Sequence, residues 1–344
     1  MKFDFSTSSL RHGLFHQEPD GISCFLPGSA ITVRFHGREI TAEIEDVNGE
    51  GKSWLNVYID DLPVRVMRID PDNRLYQLAD DLEDAPHTLT LQKRTEAAFG
   101  SIKFTDLTTE NGAFLSPPAP LPHRLLVIGD SITCGFGNEA QIPCDCDASR
   151  ENIALAYSSL TGQLLNAETL IVGASGTGCY QNFGGGKEGR MSDYFMKTIC
   201  PDLDQEAMDP FHPEFVVLNL GTNDWSVPIE PADYLEQYRK LTGFIRNRYP
   251  SVPLFCAIGP MTLCPAPHLK ALVKSLNEEG DNNIHFVEFP LIKRPEDGMG
   301  GCGHPSVKKH RQMAEHLAAT IRQVCSLSPL PRQLLEHNEK DRSV

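Results

Sequence analysis

Four consecutive apolar residues, Leu125-Leu126-Val127-Ile128, run directly into Gly129-Asp130-Ser131. A short unbroken apolar run reads as a strand buried on both faces, the kind found in parallel sheets covered by helices on either side. A parallel sheet needs crossover connections, so helices must alternate with strands further along the chain. Gly129-Asp130 ends the run, and Ser131 falls just past the carboxyl end of the strand, where open α/β sheets place their ligands. On its own the Gly-Asp-Ser tripeptide reads equally as a helix cap. Three later segments weigh against that plain reading.

The alternation is present. Glu151 to Asn166 carries Leu155, Leu160 and Leu164–Leu165 at helical spacing, and Leu170-Ile171-Val172 reads as the next strand. Phe215–Leu220 is another buried strand. Tyr234, Leu235, Tyr238, Leu241 and Ile245 define an amphipathic helix, followed by the strand Leu254–Ile258. Leu269, Leu272 and Leu276 mark a further helix and Ile284–Phe289 a fifth strand. Met313, Leu317 and Ile321 stand four apart in a last long helix starting near Pro305. Such repetition implies right-handed crossovers and a helix-covered parallel sheet.

Upstream the period changes to two. Ile31–Phe35, Ile40–Ile44, Leu55–Ile59, Val64–Val66 and Leu89–Leu91 alternate, separated by turn signals such as Asn48–Gly51 and Pro71–Asn73. One wet and one buried face per strand is the pattern of a sandwich or jelly roll. Ser116–Pro122 carries four prolines and reads as a stiff linker. The expected organisation is a β-sandwich domain over 1–115, a linker over 116–123, an α/β domain over 124–325 and a loose tail over 326–344. A chain of 344 residues is long enough for two domains.

Lys plus Arg number 31 and Asp plus Glu 46, a formal net charge of −15. Such a surface repels nucleic acid and anionic membranes and suits a neutral, solvated partner. No apolar run approaches the roughly 18 residues of a membrane span. The opening residues Met1–Ser6 lack the apolar stretch of a signal peptide, so the expectation is a cytoplasmic protein, or a secreted one if the natural chain begins earlier. The ten cysteines are scattered, and most read as free, buried thiols in a reducing compartment. Cys144 and Cys146 form the only tight pair, at a spacing that does not fit zinc.

Three further segments also follow strands. Gly173–Gly178 is small enough for its backbone N–H groups to approach a ligand, although a tight turn would look the same. Gly221-Thr222-Asn223-Asp224 offers the Asn223 amide, as a donor to a developing oxyanion or as a cap. His304-Pro305 places an imidazole at a helix start, with the proline at a favoured first helical position. Together with Ser131 these segments bring a hydroxyl, backbone N–H groups, an amide and an imidazole to one rim of the sheet. That is the set acyl transfer needs: a nucleophile, oxyanion donors and a general base.

Gly129–Thr133, the Gly176 turn, Gly221–Asp224 and His304-Pro305 resemble, in order, the four blocks of the SGNH/GDSL hydrolases. The β-rich leader, Gly135–Glu139 and Glu151–Tyr157 resemble carbohydrate esterase family two, whose members remove acetyl groups from plant polysaccharides. The resemblance implies a jelly-roll domain followed by a flavodoxin-like three-layer α/β/α domain. It makes Ser131 the nucleophile and His304 the general base, with the N–H groups of Ser131 and Gly176 and the Asn223 amide as the oxyanion hole. A helix starting after Ser131 would add positive potential there. No metal or organic cofactor is required.

The superfamily usually carries an aspartate two or three residues before the histidine, where this chain has Cys302 and Gly301. Glu296 and Asp297 are the nearest carboxylates in sequence. The subgroup manages with a Ser–His dyad, so a main-chain carbonyl near Cys302 is expected to orient His304. Tyr180 and Trp225 are the candidate sugar-stacking aromatics, and Asp130 and Asp224 read as loop braces. The expected substrate is an acetylated sugar or xylan-type polysaccharide. A carbohydrate-binding protein with a vestigial hydrolase fold, or a short-chain esterase or thioesterase on another substrate, are the alternatives. Oligomeric state leaves no trace in the sequence.

Overall fold

A computed structural model describes residues 2–141, 146–199 and 211–328. After a one-turn helix α1 (Phe5–Ser8), eleven strands build two antiparallel sheets. These are β1 (Leu10–His12), β2 (His16–Glu18), β3 (Gly21–Cys24), β4 (Ala30–Gly37), β5 (Ile40–Val47), β6 (Trp54–Ile59), β7 (Leu62–Arg68), β8 (Leu75–Ala79), β9 (Ala85–Lys93), β10 (Ser101–Thr108) and β11 (Ala113–Leu115). One sheet runs β1-β4-β9-β6-β7, with β11 also paired to β4, and the other runs β2-β3-β10-β5-β8. Inward residues of both, among them Val33, Phe35, Ile44, Val57, Leu91 and Phe104, form one buried core. The period of two was correctly read as a sandwich, with one departure. Val64 and Val66 face solvent because β7 is an edge strand; only Met67 on it is buried.

The third sheet is parallel throughout: β12 (His123–Gly129), β13 (Ala167–Gly173), β14 (Phe215–Asn219), β15 (Leu254–Ile258) and β16 (Ile284–Glu288), in the order β13-β12-β14-β15-β16. Alternate residues of each strand enter different cores. Leu126 and Ile128 pack with α4 (Met191–Ile199), α5 (Pro231–Arg248) and α6 (Ala266–Glu278). Leu125 and Val127 pack against α3 (Tyr157–Leu165) and α7 (Val307–Cys325) on the other face. Burial on both faces is why these strands read as apolar runs without alternation.

This order places the topological switch between β12 and β14. Gly129 is in register with Gly173 on one side and Asn219 on the other, so three loops leave the sheet at one level. Ser131, on α2 (Ser131–Cys134), sits at that point.

Two helix starts differ from expectation. The helix read from Glu151 begins at Tyr157, because residues 151–156 are used to dock the two sheet systems together: Ile153 N–H donates to the Arg94 carbonyl and Asn152 meets Asn56 across the interface. The last helix begins at Val307 rather than Pro305. Pro305 instead forms an isolated bridge with Met299, so His304 is held by a loop and not by a helix end. Most of the tail read as loose, including Pro329 and Pro331, lies outside the described residues, as does Cys144.

Candidate active site

Ser131 is almost fully buried, at 6 % exposure, and opens α2. Asp130 caps that turn: its Oδ1 accepts the Ile132 N–H at 3.0 Å. α2 is a single turn, so the positive potential expected there comes from a few first-turn N–H groups and not from a long helix. Burial, with the neighbouring Asp224 and Glu96 charges adding to it, pushes the Asp130 carboxyl up to about 7, against the pull of the Ile132 N–H.

His304 reaches Ser131 from the far edge of the sheet. After β16 the chain walks back across the strand ends. Phe289 N–H donates to the Ile258 carbonyl, Ile292 N–H to Pro260 and Gly301 N–H to Gly137, in the loop after α2. The last approach is close: a Cβ on Gly301 would lie 2.6 Å from the Ala140 side chain and 2.8 Å from Cys146 Sγ. Close approach is the physical reason for Gly300 and Gly301, whereas Gly303 has open space around it and takes a left-handed φ of +78°. A disulfide between Cys146 and Cys302 ties the two loops together. The sequence sets Cys146 beside Cys144 and gives no sign of Cys302 as its partner; six other described cysteines are free, four of them buried.

The result is a contact of 2.8 Å between His304 Nε2 and Ser131 Oγ. Nδ1 of His304 is buried and meets no acceptor at full hydrogen-bonding geometry, but the Cys302 and Gly301 carbonyls lie close enough to favour the protonated ring. Burial is the larger influence and holds His304 below its ordinary value, as a neutral base. The Phe136 ring meets the imidazole edge-on, centroids 5.1 Å apart. Neither nearby carboxylate serves His304. Asp297 accepts the N–H groups of Lys293 and Arg294 and pairs with the Arg294 guanidinium, which Glu296 also meets.

Gly176 has φ +76°, a left-handed conformation open to glycine at no steric cost. Its carbonyl accepts the Phe183 N–H at 2.8 Å. Asn223 is buried beside Ser131's loop, its Nδ2 donating to the Thr177 carbonyl at 2.8 Å and to Asp130 Oδ2 at 3.2 Å. Asp224, fully buried, accepts the N–H groups of Cys179, Tyr180 and Gln181.

The aromatics are held differently from the simple picture of open platforms. Trp225 is half-buried, edge-on to Tyr234 and stacked with His268. Tyr180 donates its hydroxyl to Asp233 at 2.8 Å, and the Lys187 ammonium lies 4.1 Å from its ring centre. Phe183, 73 % exposed on the loop bonded to Gly176, is the open ring beside this turn, and the sequence reading passed over it. Its signal was its place immediately before Gly184-Gly185-Gly186. Among the described residues no group of three or more His, Cys, Asp or Glu is placed to hold a metal ion.

A sandwich domain followed by a parallel α/β sheet of this order is also what known proteins show. The model of the GDSL-like lipase/acylhydrolase family matches residues 127–326, and that of the carbohydrate esterase 2 N-terminal region matches residues 12–118. The solved structure of a family two carbohydrate esterase from Clostridium thermocellum in complex with cellohexaose superposes with a TM-score of 0.86. It is 31 % identical and is matched over 92 % of this chain and 99 % of that one. This chain belongs to the family two carbohydrate esterases. Among curated relatives, the cellulase/esterase CelE of Acetivibrio thermocellus is 31 % identical over 93 % of this chain, which spans only 38 % of that protein. An acetylxylan esterase / glucomannan deacetylase of Cellvibrio japonicus is 24 % identical over 87 % of this chain and 83 % of its own length.

Proposed function

We propose that the protein is a serine esterase that removes O-acetyl groups from acetylated sugars or polysaccharides of the xylan type, using a Ser131–His304 dyad. The observation that carries this reading is the 2.8 Å contact of His304 Nε2 with Ser131 Oγ, on a histidine flanked by main-chain carbonyls and, among the described residues, by no carboxylate. His304 takes the Ser131 proton as Oγ attacks the ester carbonyl, and returns it to the leaving sugar hydroxyl. Water then attacks acetyl-Ser131 with the same histidine as base, releasing acetate. The carbonyls of Cys302 and Gly301 fix the ring and steady the imidazolium without contributing a full charge.

The Ser131 and Gly176 N–H groups and the Asn223 amide serve the oxyanion. Both Asn223 amide hydrogens are engaged in the resting site, so its longer bond, to Asp130, is the one exchanged for the oxyanion. The surface charge of −15 favours a neutral glycan over an anionic one. The relatives' names favour acetylated polysaccharide, and Trp225 and Tyr180, with Phe183, are the aromatic residues this reading assigns to a sugar.

The test is mass spectrometry of an acetylated xylo-oligosaccharide pool before and after exposure to wild type and to Ser131→Ala. Loss of acetyl groups with wild type alone supports the proposal. Identical spectra with both proteins would mark the chain as a glycan binder or an esterase of another substrate.

A further inference from the structure

The antiparallel domain sends one segment into the catalytic domain, directly behind the nucleophile. Lys93, which ends β9, and Arg94, Thr95 and Glu96, which follow it, are each at most 2 % exposed. Arg94 pairs with Glu139 and donates to Asn56, while Lys93 Nζ is consumed by the Thr95 and Glu96 carbonyls. Of these, the Arg94–Glu139 pair reaches into the catalytic domain and helps dock the two, while the others hold the segment in place. Glu96 does something else.

Its Oε2 accepts the Ser175 N–H at 2.7 Å and has Cys134 Sγ 4.0 Å away. Ser175 immediately precedes Gly176, and Cys134 closes the single turn that begins with Ser131. One carboxyl from the sandwich domain therefore touches the oxyanion turn and the nucleophile turn at once. The Glu96 N–H in turn donates to Glu151 Oε1 at 2.5 Å, fixing the segment that carries this carboxyl.

We propose that Glu96 is a positioning residue of the oxyanion hole, setting the direction of the Gly176 N–H by holding the Ala174–Ser175 peptide, the unit just before the one that carries it. The peptide unit carrying the Gly176 N–H is then held through its two neighbours, the Ala174–Ser175 unit by Glu96 through Ser175 N–H and the Gly176–Thr177 unit by Phe183 N–H through the Gly176 carbonyl. Both clamps are needed because Gly176 has no side chain to lock its backbone, and a glycine rotates freely unless its neighbours are held. The catalytic domain thus lacks part of its own active-site scaffold, and the sandwich domain supplies it. Burial raises the Glu96 carboxyl above the usual range, and a neutral carboxylic acid still offers the Ser175 N–H an acceptor. The bond, rather than the charge, is what positions the turn.

This inference rests on Gly176 as an oxyanion donor, and the experiment separates the two. Turnover of para-nitrophenyl acetate is measured for wild type, Ser131→Ala, Glu96→Ala, Glu96→Asp, Glu96→Gln and Asn56→Ala, with thermal midpoints for each. An oxyanion contact acts in the transition state alone, so its loss lowers kcat and leaves KM in place. Glu96→Ala is expected to lose about tenfold or more in kcat, short of the roughly 10²–10³ of removing a donor outright, with KM within about twofold. Glu96→Gln keeps the acceptor and is expected to return to within about threefold of wild type, while Glu96→Asp withdraws it and stays impaired. Asn56→Ala weakens docking elsewhere, so it is expected to lower the thermal midpoint with kcat nearly unchanged. Unchanged kcat in Glu96→Ala, or a Gln variant as slow as Ala, overturns the inference. If Glu96→Ala does not fold, the Asp and Gln variants decide, and equal kcat in those two overturns it. A wild type no faster than Ser131→Ala defeats the esterase reading instead.

Discussion

Removing the Asp224 carboxylate puts a number on how the loop after Gly176 is held. Asp224 and Cys179 are fully buried and Gln181 is 6 % exposed. Oδ1 accepts the Tyr180 N–H at 2.7 Å and the Gln181 N–H at 3.1 Å, and Oδ2 accepts the Cys179 N–H at 3.0 Å. A hydrogen bond to a charged group is worth about 1.5–3 kcal/mol, and a buried N–H left alone costs about 1–3 kcal/mol. Asp224→Ala strands three such groups at once, and with water admitted to the vacated space the expected loss is about 4 kcal/mol or more. Asp224→Asn keeps an oxygen for Tyr180 and Gln181 but can turn its NH2 toward the Cys179 N–H, losing one bond, or about 2 kcal/mol. Urea unfolding measures both, as a shift of midpoint at constant slope. Two variants within about 1 kcal/mol of wild type, or Asn as costly as Ala, would refute the reasoning that these three bonds hold the turn.

Asn223→Ala is expected to reduce kcat by about 10²–10³ on a chromogenic acetate, and a loss below tenfold would count against its oxyanion role. Asp297→Ala is expected to retain most activity while His304→Ala abolishes it, since Asp297 bonds to Lys293 and Arg294 and not to the histidine; equal losses would mean a carboxylate completes the site. The active imidazole is neutral, and burial holds His304 below 6.5, so kcat/KM is expected to fall only as pH drops through that lowered value. A pH–rate profile with its acid limb at or above 6.5 would contradict this.

The rim was legible because Ser131, Gly176 and Asn223 each follow a strand whose burial leaves an unbroken apolar run. Leu125–Ile128, Leu170–Val172 and Phe215–Leu220 marked the strands, and the in-register ends at Gly129, Gly173 and Asn219 turned sequence order into one rim. The path of His304 was less visible. Its loop crosses the sheet on hydrogen bonds to backbone carbonyls, which any residue can make, and on a disulfide whose second partner lies 156 residues away. The start of α3 was misplaced because Leu155 fits a helical period, whereas Glu151–Ala156 serves the domain interface. Glu96 was invisible for the same reason. A buried carboxylate facing another domain has no periodicity, and only the coordinates bring it to Ser175.

The central claim is that Ser131 carries the acetyl group between two chemical steps. Acid-quenched wild type, mixed with excess chromogenic acetate and digested, is expected to show one acetyl group on the peptide containing Ser131. His304→Ala is expected to show none in the same interval. Acetyl found on another residue, or steady turnover with no acetylated peptide under conditions where release of acetate is the slow step, would contradict the account.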